Sequence, residues 1–152
     1  MTIEPVAVYG AIVSTAVAAW NIYRGLTDRG RLHVSVFPAV HAAAGLGIIA
    51  ADRVAYSVTN MGRQPVWIRQ IGGMYSRSIG EYREFIITTA AQLPKKLEPG
   101  ESFLEANFGL ADVISDGHAP IAMGAWDTLG RFYRAPKRER DRVIRSARAL
   151  LK

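Results

Sequence analysis

The chain has 152 residues, 49% of them apolar, and a formal charge of +6. That length suits one domain with appended segments, and that apolar content is enough for a packed core. It contains no cysteine, which excludes disulfides, thiolate metal sites and cysteine nucleophiles.

The charge is uneven. Residues 137–152 hold seven basic side chains against Glu139 and Asp141, a net +5 of the chain's +6. The basic character therefore belongs to one segment and not to the fold.

Residues 5–23 form a run of 19 without a charge. As a helix rising ~1.5 Å per residue it would span roughly 28 Å, close to a ~30 Å hydrocarbon core. Trp20 and Tyr23 stand at its C-terminal end, where aromatic rings favour the lipid–water interface, and Arg24, Arg29 and Arg31 follow. A signal peptide has the opposite order, positive charge first and a small-residue cleavage site last. The expectation is a retained single-pass anchor in the inner membrane. By the positive-inside rule its N-terminus lies outside and the folded domain is cytoplasmic.

Gly10, Ser14 and Ala18 recur on one face of this helix, with Ala7, Ala11, Thr15 and Ala19 beside them. Such spacing lets helix backbones approach closely in lipid, so it predicts self-association or docking on another membrane protein's helix. The competing readings are also open. An Ala-rich run produces small-residue spacing by chance. A run with Ser14, Thr15 and Asn21 but no leucine also suits a helix buried between chains or packed on its own domain.

From Leu32 the apolar period changes. Leu32, Val34 and Val36 alternate with His33, Ser35 and Phe37, predicting a strand that Pro38 ends. The Ala- and Gly-rich stretch 42–47 reads as a loop or weak edge. Val54, Tyr56 and Val58 alternate again. Asn60, Gly62 and Pro65 make a turn, and Val66, Trp67, Ile68 and Ile71 the returning strand. Gly72 and Gly73 read as punctuation, with further strands at Met74–Arg77 and Tyr82–Thr89. Leu97, Glu98, Pro99 and Gly100 predict a type II turn. Ser102–Phe108 is a strand leading into a helical turn at Leu110–Ser115, which Asp116 and Gly117 stop. Ile121–Trp126 and Arg131–Arg134 flank a hairpin loop that ends in Gly130. Short strands with turn chemistry between them predict a sandwich of two antiparallel sheets.

The run Val58, Asn60, Gly62, Arg63, Pro65, Val66, Ile68 resembles a hairpin found in uncharacterised small bacterial or phage proteins. In those an N-terminal membrane helix carries an immunoglobulin-like β-sandwich. Leu97, Pro99, Gly100, Glu101 and Ser102, then Asp127, Gly130, Arg131 and Tyr133, are similar in order and spacing, over roughly residues 24–136. The resemblance implies an immunoglobulin-like fold and carries no catalytic residue. The 42–51 stretch and the basic tail depart from it.

No constellation reaches the strength of a catalytic or cofactor signature. His33, His41 and His118 lack metal-ligand spacing and an acidic second shell. Asp112, Asp116 and His118 share a loop and could bind a cation or relay a proton, but Asp and Gly there also cap and end a short helix. Glu81 and Glu84, near Arg77 and Arg83, read as a solvated strand face. No serine sits in a nucleophile elbow, and Gly72 and Gly73 open no phosphate loop. Trp67 lies between inward-facing Val66 and Ile68, so alternation puts it on the outer face as a candidate partner contact. A core position is expected for at least one of Trp67 and Trp126.

After Pro136 the period becomes helical. Val143, Ile144, Ala147, Leu150 and Leu151 form one stripe, and Arg138, Arg142, Arg145 and Arg148 occupy the rest. Such a helix lies on an anionic membrane, packs on a protein surface, or binds nucleic acid. The last is disfavoured, because the sandwich shows no basic stripe and no aromatic stacking motif.

The chain thus divides into 1–31, a membrane helix with a basic linker; 32–136, the sandwich; and 137–152, a basic amphipathic tail. The expected role is a non-enzymatic, membrane-tethered interaction or accessory subunit with no cofactor. A soluble structural subunit, of a phage particle or another assembly, and a nucleic-acid-binding module are the alternatives.

Overall fold

The computed structural model describes residues 5–27, 29–43, 47–79, 82–87 and 93–151. Helix α1 (Pro5–Thr27) comes first, and Arg29–Arg31 lead from it into the β region. The strands are β1 (Leu32–Ala43), β2 (Gly47–Asn60), β3 (Val66–Ile79), β4 (Tyr82–Ile87), β5 (Lys95–Leu97), β6 (Ser102–Gly109), β7 (Pro120–Asp127) and β8 (Phe132–Arg134). Helix α2 (Lys137–Leu150) closes the chain.

The strands form two antiparallel sheets. One is ordered β1-β2-β6. The other is ordered β4-β3-β7-β8, with β5 also on β3. β4 and β5 share one edge of β3, pairing at Ile71–Met74 and at Val66–Ile68 respectively. One apolar core lies between the sheets. Val34, Val36, Val54, Tyr56, Val58 and Phe103 enter it from the first, and Ile68, Ile71, Ile87, Leu97, Met123 and Ala125 from the second. The period-two alternation around Leu32–Val36 and Val54–Val58 is what this one-sided burial requires.

Several sequence expectations change. Pro38 does not end the first strand; β1 continues through it, with Pro38 opposite Val54. The N–H of Val36, two residues earlier, points away from β2 and donates to Glu139 Oε2 at 2.9 Å. Residues two apart share a direction, so position 38 also faces outward, where a missing N–H breaks no ladder bond. The Ala/Gly-rich stretch is shorter as a connection than expected: Ala42 and Ala43 end β1, Gly47 opens β2, and Ala43 pairs with Gly47. Residues 44–46 lie outside the described residues, as do Glu81, Thr88 and Thr89.

Gly72 and Gly73 do not interrupt β3, which runs 14 residues through both. They are glycines for lack of room. A Cβ on Gly73 would lie 2.4 Å from the Ala122 carbonyl oxygen, and one on Gly72 would lie 2.0 Å from that of Phe85. Two neighbouring strands approach closely here, and Phe85 covers the gap. The long strands replace the short ones expected, and β5 is a strand where only the start of a turn was read.

α2 packs on the β region and does not stand free. Val143 and Ala147 are fully buried and belong to the shared core. Glu139 accepts from the Val36 N–H and, at 3.4 Å, from Ser35 Oγ, so its carboxylate caps an outward donor of edge strand β1. Arg140 donates to the Ile121 carbonyl of β7. The helix therefore spans from one sheet to the other. α1 behaves otherwise: every residue from 6 to 25 is exposed.

Candidate functional site

The three turns singled out in the sequence lie at the end of the β region where the chain arrives from α1. Asn60 is the hub. It is fully buried. Its Oδ1 accepts from the Gly62 N–H at 2.9 Å, and its Nδ2 donates to the carbonyls of Gln64 at 2.8 Å and Leu97 at 3.0 Å. Its backbone N–H donates to the Glu101 carbonyl at 3.0 Å, and its carbonyl accepts from the Gly100 N–H at 2.8 Å. One asparagine thus ties the 61–65 turn to the 98–101 turn. In the second turn Gly100 has φ +80° and Glu101 N–H donates back to the Glu98 carbonyl, as a type II turn requires.

The linker from α1 is clamped at this hub. The Met61 N–H donates to the Arg31 carbonyl at 2.7 Å. A Cβ on Gly62 would lie 2.4 Å from the Arg31 nitrogen and 2.5 Å from the Arg29 oxygen, so only glycine lets the linker pass. A Cβ on Gly30 would lie 2.1 Å from the Val66 side chain and 3.3 Å from the Gln64 carbonyl oxygen. The Asn60-x-Gly62 pair is therefore a seat for residues 29–31 as well as a hairpin turn.

The third turn is organised by Asp127, which is also buried. Its Oδ1 accepts from the N–H groups of Leu129 at 2.9 Å and Arg131 at 2.8 Å, and its Oδ2 from the Tyr133 hydroxyl at 3.2 Å. Burial, then the neighbouring Asp127 charge, push the Tyr133 hydroxyl above its ordinary pKa, against an opposing pull from Arg131. The Thr128 N–H donates to the Trp67 carbonyl at 3.1 Å, joining this turn to β3. Between them opens a cleft of about 490 Å³, whose lining includes Arg29, Gln64, Trp67, Asp127, Leu129 and Arg131. Trp67 is 46% exposed, on the outer face as alternation requires, whereas Trp126 is buried with its ring 4.3 Å from that of Phe132.

The opposite end carries the other loop read for chemistry. The Asp116 carbonyl and His118 Nδ1 are 2.8 Å apart, inside a turn where Asp116 and Gly117 have positive φ and Ser115 bridges to His118. Asp112 lies against Gly109, near the stacked rings of Phe85 and Phe108. Tyr75 donates its hydroxyl to the Val113 carbonyl at 3.3 Å, and burial raises its pKa. Among the described residues no cluster of three or more His, Asp or Glu is arranged to hold a metal ion.

Along α1, Gly10, Ser14, Ala18, Trp20, Tyr23 and Arg24 are all exposed. A Cβ on Gly10 would meet nothing within 4 Å, and the Trp20 and Tyr23 rings stand 5.9 Å apart at the C-terminal end. On α2, Arg138, Arg142, Arg145 and Arg148 are exposed, opposite the buried Val143 and Ala147. Sequence reasoning missed the hub role of Asn60, the cap supplied by Glu139, and the Arg29–Arg131 cleft. The sequence hid the strand count that places all three turns at one end, because Gly72 and Gly73 read as a break although β3 runs through both.

No known protein family matches the chain, and no curated protein or solved structure matches it either.

Proposed function

We propose that the chain is a single-pass membrane protein of the inner membrane, acting as a non-enzymatic interaction or accessory subunit. In this reading its immunoglobulin-like sandwich stands on the cytoplasmic face. The carrying observation is that α1 is long and apolar enough to cross a membrane and is exposed at every residue from 6 to 25. A helix of that kind needs hydrocarbon or another protein around it. Its length and the Trp20–Tyr23–Arg24 end favour hydrocarbon, and the arginines favour the cytoplasmic side. The resemblance to small bacterial or phage proteins of this layout rests on the three turn motifs that meet around Asn60 and Asp127.

Alkaline carbonate extraction of membranes from cells expressing the full chain tests the anchor, and protease protection in spheroplasts tests the orientation. Retention in the pellet, with the β region shielded from external protease, is the expected result. Release as a soluble oligomer would instead support the structural-subunit reading, with α1 buried between copies at the Gly10–Ser14–Ala18 face. The exposed arginines of α2 keep one further reading testable. Salt-sensitive nucleic-acid binding that disappears when Arg138, Arg142, Arg145 and Arg148 become glutamine would support it.

A further inference from the structure

We propose that the end of the sandwich carrying the clamped linker is a lipid-docking face. Met61, Trp67 and Leu129 enter the headgroup region of the bilayer, and the cleft between Arg29 and Arg131 takes the phosphate of an anionic phospholipid. This rests on the reading of α1 as a membrane anchor and adds a second contact to it.

The reach of the chain places this end beside the membrane. α1 ends at Thr27 and the clamp begins at Arg29. Two residues span at most about 7 Å. The Met61–Arg31 bond and the Gly30 and Gly62 approaches hold residues 29–31 against the turns. Whatever lies at the end of α1 also lies at these turns.

The surface chemistry fits a bilayer. Met61 is 68% exposed, Leu129 73% and Trp67 46%, three large apolar side chains on adjoining turns. Tryptophan with a wet edge and an apolar body is suited to the lipid–water interface. Arg29, Arg31, Arg63 and Arg131 are exposed around them. Among the described residues, the acidic groups at this end are already engaged. Asp127 is buried under three donors, Glu98 pairs with Lys96 at 2.6 Å, and Glu101 stands 3.9 Å from Lys95. Arg29, Arg31 and Arg131 leave the described residues of this face net positive, and a planar guanidinium on either side of a cleft suits a phosphate. α2 commits Val143 and Ala147 to the core and leaves only Leu150 and Leu151 as large exposed apolar side chains, at the chain's far end from the linker in sequence.

The chain has no cysteine, so single cysteines can carry a nitroxide label without further change. Three exposed positions suffice in the full chain: Leu129→Cys on the docking face, Asp116→Cys at the opposite end, and Val13→Cys within α1. Each is reconstituted in nanodiscs of phosphatidylcholine alone or of phosphatidylcholine with phosphatidylglycerol. With the anionic lipid, the label at 129 should lose most of its accessibility to an aqueous nickel relaxant while the label at 116 keeps its own. Arg29→Glu combined with Arg131→Glu should remove that lipid dependence without moving the label at 13 out of the hydrocarbon. If 129 stays as water-accessible as 116 in anionic discs while 13 is buried in lipid, docking is overturned and the anchor stands; the face is then free for a protein. A label at 13 in water overturns the anchor and the docking together.

Discussion

The two helices of this protein answer opposite problems. α2 is strongly polar, yet it is built into the fold, because two small apolar residues one turn apart, Val143 and Ala147, fit the opening between the sheets. Glu139 and Arg140 then bind strand edges on either side. α1 is far more apolar, yet it is exposed at every residue from 6 to 25. Total apolarity therefore does not decide whether a helix packs on its own domain. A narrow stripe can be matched by one groove, whereas a helix apolar on all sides leaves most of its surface unsatisfied by any single groove.

The largest effect should come from charge in α1. Val13→Arg with Val17→Arg places two cations at the centre of the proposed span, at about 3 kcal/mol each. Carbonate extraction should then release the protein, while urea unfolding of the β region stays unchanged. A shift in that unfolding would break the contrast, since it would mean α1 packs on the domain. Asn60→Ala comes next. It strands the buried carbonyl of Leu97, frees that of Gln64 and loosens Gly62, at about 3 kcal/mol in urea unfolding of the full chain in mild detergent. Membrane retention should not change.

Val143→Ala leaves a small cavity under α2 and should cost about 2 kcal/mol. Ile12→Ala in α1, measured the same way, should cost nothing, and equal costs would erase the distinction between the helices. The smallest effect is a pH dependence internal to the β region. Burial, with Tyr75 nearby, raises the pKa of Tyr56, whose hydroxyl donates to the Gly72 carbonyl at 3.2 Å. An acid whose folded pKa is raised keeps the folded state protonated after the unfolded chain ionises. Stability is therefore full below the ordinary tyrosine pKa of about 10 and falls as pH rises above it. Tyr56→Phe should cost about 1 kcal/mol at neutral pH and flatten that alkaline loss in thermal unfolding. The loss should persist in the Val13→Arg, Val17→Arg variant, which marks it as a property of the domain.

Much of this was legible in the chain. Leu32–Val36 and Val54–Val58 announce their inner faces by period, and Pro99-Gly100 announces its turn, because alternation and positive φ are local demands. Trp67 could be placed outside by counting from Val66. Other features were not legible because their causes are remote in sequence. Pro38 is tolerated only because β1 is an edge strand whose outward donor at Val36 meets Glu139, 103 residues later. Gly72 and Gly73 look like breaks and are close-approach points, which depends on Phe85 and Ala122. The tail's amphipathic stripe fits lipid or protein equally well until the groove that receives it exists.

By itself the sequence determined the anchor-like run, the β character of residues 32–136 and the positions of the turns. Each follows from neighbours within a few residues. Tertiary structure alone decided that those turns meet, that Asn60 and Gly62 clamp the linker, and that Arg29, Trp67, Leu129 and Arg131 share one cleft. Such groupings depend on strand order and register, and these are set by packing between segments that are far apart in the chain.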